Sequence, residues 1–372
     1  MFTRLRVLEL ASVLAGPSVG QFFAELGAEV IKIENPHTGG DVTRTWKGAD
    51  EKTDDRSAYF SCCNWGKKSV LLDISTPEGQ SAVTKIASTS DVVIASYKPG
   101  DAERLRVDYE TFRKVQPAII YGMISGYGAD DNRVGYDAVI QAESGFMDLN
   151  GEPSSSPTKM PVALIDIMAA HQLKEALLLA LLRKEQTGEG GKVEVSLLET
   201  ALASLANQAT NWLVGGKVPS RQGSAHPNIA PYGDSFVTRD GKRLLLAVGN
   251  DRQFAELLMV LGLDPSHPQW IKFRTNPQRV QNRESLKVLL NNAIGQTKSA
   301  ELIGALHLHK IPAGIIKDVR DALQVSAATY LTLAGGGLHG LRTFVARGFT
   351  QSALSPPPHL GEHTTEVLSH LS

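Results

Sequence analysis

Short apolar runs of strand length and stretches with helical spacing take turns along the first third of the chain. Arg6 to Leu10 is an apolar run that predicts a strand, Gly16 and Pro17 mark a turn, and Ser18 to Leu26 carries apolar residues at helical spacing until Gly27 closes it. Glu29 to Glu34 and Ser69 to Asp73 predict two further strands, and Pro77 opens a helix that runs to Ala87. Asp91 to Ala95 and Ala118 to Met123 predict two more strands. Strands separated by helices imply parallel βαβ units, hence an α/β fold with a doubly wound, Rossmann-like parallel sheet.

From Ile167 to Lys184 the chain is rich in Ala and Leu. Ala176 to Leu182 is apolar on every face, which predicts a buried helix, stopped by Thr187 and Gly188. Lys192 to Leu197 alternates as a strand does, a second helix reaches about Leu213, and Gly215-Gly216 opens a looser stretch. The texture changes near Gly223. Ser235 to Val248 predicts a hairpin around Asp240-Gly241, helical segments follow to about Leu308, and Ala313 to Val319 predicts another strand after Pro312. These features describe a second, smaller α+β domain.

Composition narrows the function classes. The chain has 372 residues, enough for two or three domains, and its net charge of -1 gives no electrostatic footprint for nucleic acid or an anionic membrane. The two cysteines, Cys62 and Cys63, are adjacent, so neither a disulfide framework nor a cysteine zinc site is available. Met1 to Gly16 faintly resembles a signal peptide, but Glu9 interrupts the apolar run, which therefore reads as the first strand. With no run long enough for a membrane span, a cytoplasmic protein without a membrane partner is expected.

The opening strand-turn-helix-strand lacks the three close glycines of a dinucleotide site, since only Gly16 lies in the turn and Gly20 follows four residues later. No metalloprotease, hydrolase or P-loop pattern occurs, and the scattered histidines, His226, His307 and His309 among them, suggest no metal centre. Asp166 stands out. It follows the apolar run Val162 to Ile165 and leads into the long helix, so its carboxylate either caps the helix or serves as a nucleophile there. A helix N-terminus favours its ionised form by about 0.3–1 kcal/mol.

The chain resembles the family III CoA-transferases, which include the formyl-CoA transferases and, as relatives, the α-methylacyl-CoA racemases. The resemblance rests on an ordered series of segments: V-L-E-L-A-S-V-L-A-G-P (Val7 to Pro17), G-A-E-V-I-K-I-E (Gly27 to Glu34), G-D-V-T-R (Gly40 to Arg44) and N-W-G-K-K-S-V-L-L-D (Asn64 to Asp73). Y-K-P-G (Tyr97 to Gly100), I-S-G-Y-G (Ile124 to Gly128), G-Y-D-A-V-I-Q-A-E-S-G (Gly135 to Gly145) and R-K-E-Q-T-G-E-G (Arg183 to Gly190) continue it. H-P-N-I-A-P-Y (His226 to Tyr232), G-N-D-R-Q-F (Gly249 to Phe254), I-P-A-G (Ile311 to Gly314) and L-G-E-H-T (Leu360 to Thr364) complete it.

The resemblance implies an interlaced homodimer. Its large Rossmann-like domain is formed by residues 1–200 with the return segment 319–372, and residues 201–222 link it to a small domain at 223–318. The family's nucleophilic aspartate falls on Asp166, and its coenzyme A neighbours fall on Leu72, Tyr97, Arg104 and Tyr136, with Lys98 and Arg104 as phosphate partners by charge. The substrates implied are an acyl-CoA thioester and a carboxylic acid, with no metal or redox cofactor. Leu14 and Asp137 fall in the substrate pocket. Leu14 replaces a glutamine of the formyl-CoA transferases, which argues against oxalate as acceptor, and Asn35-Pro36 replaces a basic coenzyme A contact. Where the racemases carry a histidine, this chain has Tyr136, and a phenol is a poor base near neutrality. Transfer is thus expected over racemisation or a non-catalytic, CoA-binding dimer scaffold. Ala170, where many relatives have glycine, is the one feature that favours the scaffold.

Overall fold

The computed structural model describes residues 1–349 and 353–370, and the chain divides into two compact units. The first comprises residues 1–146, 159–209 and the described residues from Ser326 on; the second comprises 147–158 and 210–325.

The first unit holds a six-stranded parallel sheet. Its strands are β1 (Arg6–Leu10), β2 (Glu29–Glu34), β3 (Lys67–Leu71), β4 (Val92–Ala95), β5 (Ile120–Ser125) and β6 (Gly191–Ser196), in the order β3-β2-β1-β4-β5-β6. Val7 pairs with Val30 on one side and Val92 on the other, so β1 and β4 flank the point where the strand order reverses. Open α/β sheets bind ligands at that point, beyond the carboxyl ends of the strands.

Five helices of this unit matter for the site: α1 (Ala15–Glu25), α2 (Pro77–Ser88), α3 (Asp137–Glu143), α4 (Leu164–Thr187) and α5 (Leu197–Ser204). The helix predicted to begin at Ser18 starts three residues earlier, because Pro17 is tolerated in a first turn, whose N–H groups have no intrahelical partner. Every residue of α1 is buried. Two of its polar side chains tie in distant chain: Trp65 N–H donates to Gln21 Oε1 at 3.1 Å, and Thr343 and Phe344 N–H donate to Glu25 at 2.7 and 3.0 Å.

The long helix α4 lays Ile165, Ala169, Leu173 and Leu177 against α1 and β5. Gly122 on β5 permits this approach; a Cβ there would lie 2.9 Å from the Leu177 side chain. Burial on every face does not hold. Leu178, Leu179 and Leu182 are exposed, so α4 carries apolar residues on its outer face as well as on the face it buries. The predicted helix reaching Leu213 is two helices, α5 and Asn207–Leu213, with Ala206 between them at a φ of 47°.

The second unit carries an antiparallel sheet of Tyr232–Val237, Arg243–Ala247 and Ala313–Ile315, with Gly241 at a φ of 76° in the predicted hairpin turn. Phe236, Leu244, Phe254, Trp270 and Leu290 form its core. Among the described residues no helix is long and apolar enough to cross a membrane.

A buried charge cluster lies under the sheet's ligand-binding end. Glu9, Lys32 and Lys67 come from adjacent strands and are at most 1% exposed. Lys32 Nζ pairs with Glu9 at 3.0 Å and Asp41 at 2.9 Å, and Lys67 Nζ pairs with Glu9 at 2.8 Å. The ammonium groups also donate to backbone: Lys32 to Ala11 O at 2.6 Å, Lys67 to Pro17 O at 2.8 Å. Both ends of the β1–α1 turn are thereby fixed. Gly20 faces this cluster, and a Cβ there would overlap a Glu9 carboxylate oxygen. Gly20→Ala would stabilise an exposed helix by about 1 kcal/mol. Here it is expected to destabilise the protein by about 2–4 kcal/mol, because it displaces a clamped charge in a packed interior. The shift in urea midpoint measures this, and a stabilised variant would overturn the account of the cluster.

Candidate active site

The turn from β1 to α1 runs Ala11-Ser12-Val13-Leu14. Val13 has a φ of 72°, a left-handed conformation that a β-branched residue seldom adopts and that costs about 1–3 kcal/mol. Its neighbours hold it there. Lys32 grips Ala11 O, Val13 N–H donates to Asp41 Oδ1 at 3.3 Å, and Asp41 is itself paired with Lys32. The strained turn leaves the first residues of α1 facing a cleft lined by Val13, Leu14, Ala15 and Gly16 together with Asp166.

Asp166 lies in the first turn of α4 but does not cap it. The helix begins at Leu164, the N-cap position is Ala163, and no side chain of α4 caps its own end. Asp137, the first residue of α3, takes that role from another element. Its Oδ1 accepts from Ile165 N–H at 2.8 Å, and its Oδ2 accepts from Gln141 Nε2 at 2.6 Å. Gln141 Oε1 in turn accepts from Met160 N–H at 2.9 Å, which ties down the segment entering α4. Asp166 is left with no hydrogen-bond partner among the described residues.

This division of roles decides the charge on Asp166. Burial, with the nearby Asp137 carboxylate second, pushes its pKa up to about 7. From an ordinary value of 3.8 that is a disfavouring of the anion by about 4 kcal/mol. The helix N-terminus supplies only about 0.3–1 kcal/mol in the other direction, so the expectation that the helix keeps Asp166 ionised gives way to desolvation and like charge. Tyr59 feels the same site: burial first, then the charge of Asp166, pushes its hydroxyl up to about 12, which keeps it a proton donor. The Trp46 ring stands edge-on to Tyr59, with centroids 5.0 Å apart.

Three cavities follow one another along this face. The first, of about 420 Å³, lies beyond β1, β2 and β4 and is lined by Leu72, Tyr97 and Arg104, with Ser12 and Ser96 at its inner end. The second, of about 220 Å³, shares Ser12, Ser96 and Tyr97 and continues past Lys98, Gly135 and Tyr136 to Asp166. The third, of about 560 Å³, shares Val13, Leu14, Tyr136 and Asp166 and is otherwise walled by Trp46, Tyr59, Cys62, Asp137, Ala138, Lys159, Pro161, Val162 and Ala163. Asp166 thus sits where a long cleft meets a separate chamber.

Leu14, Leu72, Tyr97, Lys98, Arg104, Tyr136, Asp137 and Asp166, the site residues the resemblance implies, all line these three spaces. Lys98 is exposed and carries no ion pair among the described residues; Arg104 pairs at 2.9 Å with Asp101, both exposed, a contact of little energetic weight. Sequence reasoning missed Trp46, Tyr59 and Lys159 in the chamber, which lie in segments without periodicity. It also missed the Glu9–Lys32–Lys67 cluster. Charged residues inside strands of a central parallel sheet, which read as apolar runs elsewhere, were the available signal.

The chain matches the sequence model of "CoA-transferase family III" over residues 3–364. It is 37% identical over 382 residues to a succinate–glutarate CoA-transferase of Agrobacterium fabrum, covering 99% of this chain and 94% of that protein. It is 34% identical over 379 residues to a mouse succinyl-CoA:glutarate CoA-transferase, covering 99% and 85%. Among solved structures, a CaiB/BaiF family protein from Brucella suis superposes with a TM-score of 0.87 at 38% identity, covering 99% of this chain and 98% of that one. A protein from M. tuberculosis gives 0.85 at 28% identity, covering 98% of both chains. The chain belongs to family III of the CoA-transferases.

Proposed function

We propose that the protein moves coenzyme A from an acyl-CoA to a carboxylic acid through covalent intermediates on Asp166. The observation that carries this reading is a buried carboxylate, free of hydrogen bonds, at the meeting point of cleft and chamber. The nucleotide end of coenzyme A occupies the 420 Å³ space at the reversal point of the sheet, near Leu72, Tyr97 and Arg104. Lys98 and Arg104 supply charge for its phosphates. The pantetheine arm follows the narrower space past Tyr136, and the acyl group enters the chamber beside Leu14 and Asp137.

The Asp166 carboxylate attacks the thioester carbonyl, a mixed anhydride forms, and coenzyme A thiolate leaves. Thiolate then attacks the aspartyl carbonyl, releasing the first acid and leaving an aspartyl-CoA thioester. The acceptor carboxylate attacks that thioester, expelling thiolate and forming a second anhydride. Thiolate attacks the acceptor's acyl carbon, which frees Asp166 and the new acyl-CoA. Each bond broken is replaced by one of similar energy, the condition under which covalent catalysis is efficient. None of the three cavities is lined by a histidine, which favours transfer over racemisation by an imidazole base. A homodimer belongs to the same reading, supported by the exposed Leu179, Leu182, Trp212, Leu213 and Val214. Sedimentation is expected to give a species of twice the 40.1 kDa chain mass, and a monomer at micromolar concentration would remove this part of the proposal.

Asp166→Asn is expected to lower exchange between acids by at least about a thousandfold. With the wild type, hydroxylamine added during turnover is expected to leave a hydroxamate on the tryptic peptide that contains Asp166; its absence during productive exchange would rule out an acylated aspartate. The acylation rate is expected to rise with pH and level off above about 7, because the ionised carboxylate is the nucleophile.

Stability runs the other way. The folded pKa of Asp166 lies above its unfolded value, so the native state holds the extra proton between pH 3.8 and about 7 and loses stability as pH rises through that window. Asp166→Asn is therefore expected to be more stable than the wild type by about 2–4 kcal/mol at a pH of about 8, with the difference vanishing near a pH of about 4. Urea titrations at the two pH values check this, and equal stabilities throughout would contradict the burial of an anion at this position.

A further inference from the structure

We infer that Lys159 selects a dicarboxylic acid by pairing with the carboxylate that does not react. This inference rests on the transferase reading and adds to it the class of acid and the residue that recognises it.

The chamber beside Asp166 is walled mainly by apolar and aromatic groups, among them Val13, Leu14, Trp46 and Val162. Lys159 is the one Lys or Arg in its lining. No carboxylate among the described residues lies within ion-pair distance of Lys159. Its Nζ donates to two backbone carbonyls of its own segment, Met160 O at 2.9 Å and Pro161 O at 3.4 Å. An ammonium group has three donors, so one remains for a ligand. The two acids of the chamber are committed elsewhere: both Asp137 oxygens accept hydrogen bonds from Ile165 and Gln141, and Asp166 is the nucleophile.

The backbone beside this cation is held by the frame that holds the start of the Asp166 helix. Met160, the residue after Lys159, donates its N–H to Gln141, and Gln141 binds Asp137, which caps the helix of Asp166. The backbone that leads from Lys159 and the helix that carries Asp166 are therefore joined through one hydrogen-bonded scaffold, and both residues line the same largely apolar space. A monocarboxylic acyl chain would fill that space and offer the ammonium no anionic partner. An acid with a second carboxylate places an acceptor there, and a charge-assisted hydrogen bond is stronger than one between neutral groups. Leu14 adds to this, since its side chain offers no hydrogen bond to an acid and Lys159 is the one cationic side chain of the lining.

The test compares glutarate with pentanoate, which has a methyl group in place of the second carboxylate. Butanoyl-CoA is the donor in both arms, so only the acceptor changes. The wild type is expected to prefer glutarate by about a hundredfold in kcat/KM. Lys159→Met is expected to lower kcat/KM for glutarate by about 10- to 100-fold, mainly through KM. Its use of pentanoate should stay within about threefold of wild type, and Lys159→Arg should recover most of the glutarate activity, which loss of a merely structural contact would not. Glutarate binding by calorimetry is read in parallel, with affinity expected to fall in Lys159→Met and persist in Lys159→Arg.

A Lys159→Met enzyme that handles both acids as the wild type does, or loses both equally while its unfolding midpoint is unchanged, overturns the inference. Wild-type protein that exchanges coenzyme A with no acid overturns the transferase reading instead. The calorimetric comparison then still decides Lys159: undiminished glutarate binding by Lys159→Met, or no binding by wild type, sinks it.

Discussion

Two lysines gripping one glutamate beneath the sheet hold the active-site turn in shape. Lys32 and Lys67 share Glu9 in a space closed to solvent, and each also takes one carbonyl from the β1–α1 loop. Removing such charges from water is costly, so a buried cluster is poor evidence for stability in itself. What it provides is position. Ala11 and Pro17 are fixed at either side of Val13, and a left-handed valine persists only where its surroundings over-determine it. Burial alone would lower the pKa of Lys32, but the charges of Asp41 and Glu9 raise it instead, so the grip on Ala11 does not loosen at physiological pH. The part of the cleft wall formed by Val13, Leu14, Ala15 and Gly16 takes its geometry from this turn.

The second organising feature is the separation of two neighbouring aspartates by role. Asp137 spends both oxygens on positioning, while Asp166 spends neither. Had Asp166 capped its own helix, its lone pairs would be occupied and its pKa held low, and it would be an inert structural acid. Moving the capping function to α3 leaves a desolvated carboxylate at a rigid helix start, with a like charge nearby to raise its basicity.

Much of this was legible in the sequence, for identifiable reasons. Strands β1 and β2 were predicted at their observed bounds because each is a short run dominated by Val, Ile and Leu, with Gly27 before β2 and Asn35-Pro36 after it. The start of α1 was displaced because Pro17 reads as a breaker, whereas a first helical turn accommodates it. The outer face of α4 misled for another reason: an all-apolar stretch reads as burial within one chain, and pattern alone does not separate that from a face left uncovered by the chain's own fold. The site residues at the sheet's end were reached through the resemblance, since a lone aspartate before a helix reads equally as a cap. Trp46, Tyr59 and Lys159 escaped because they come from two irregular segments and a one-turn helix, Ala58–Ser61, whose convergence is purely tertiary.

The raised basicity of Asp166 also bears on direction in the proposed exchange. In the mixed anhydride two carbonyls are open to thiolate. Attack at the acyl carbonyl expels Asp166 and returns the starting thioester; attack at the aspartyl carbonyl expels the substrate acid and moves the reaction forward. The weaker base is the better leaving group. In the proposed scheme an acid released towards solvent would leave as a better stabilised anion than Asp166, whose ionised form burial and Asp137 disfavour, and this would tilt partitioning towards the aspartyl-CoA thioester. The same physical cause makes the free carboxylate a stronger nucleophile at the outset. A hydrogen bond donated to Asp166 would weaken both effects together, which gives a chemical reason for the helix to be capped from α3 rather than by its own aspartate.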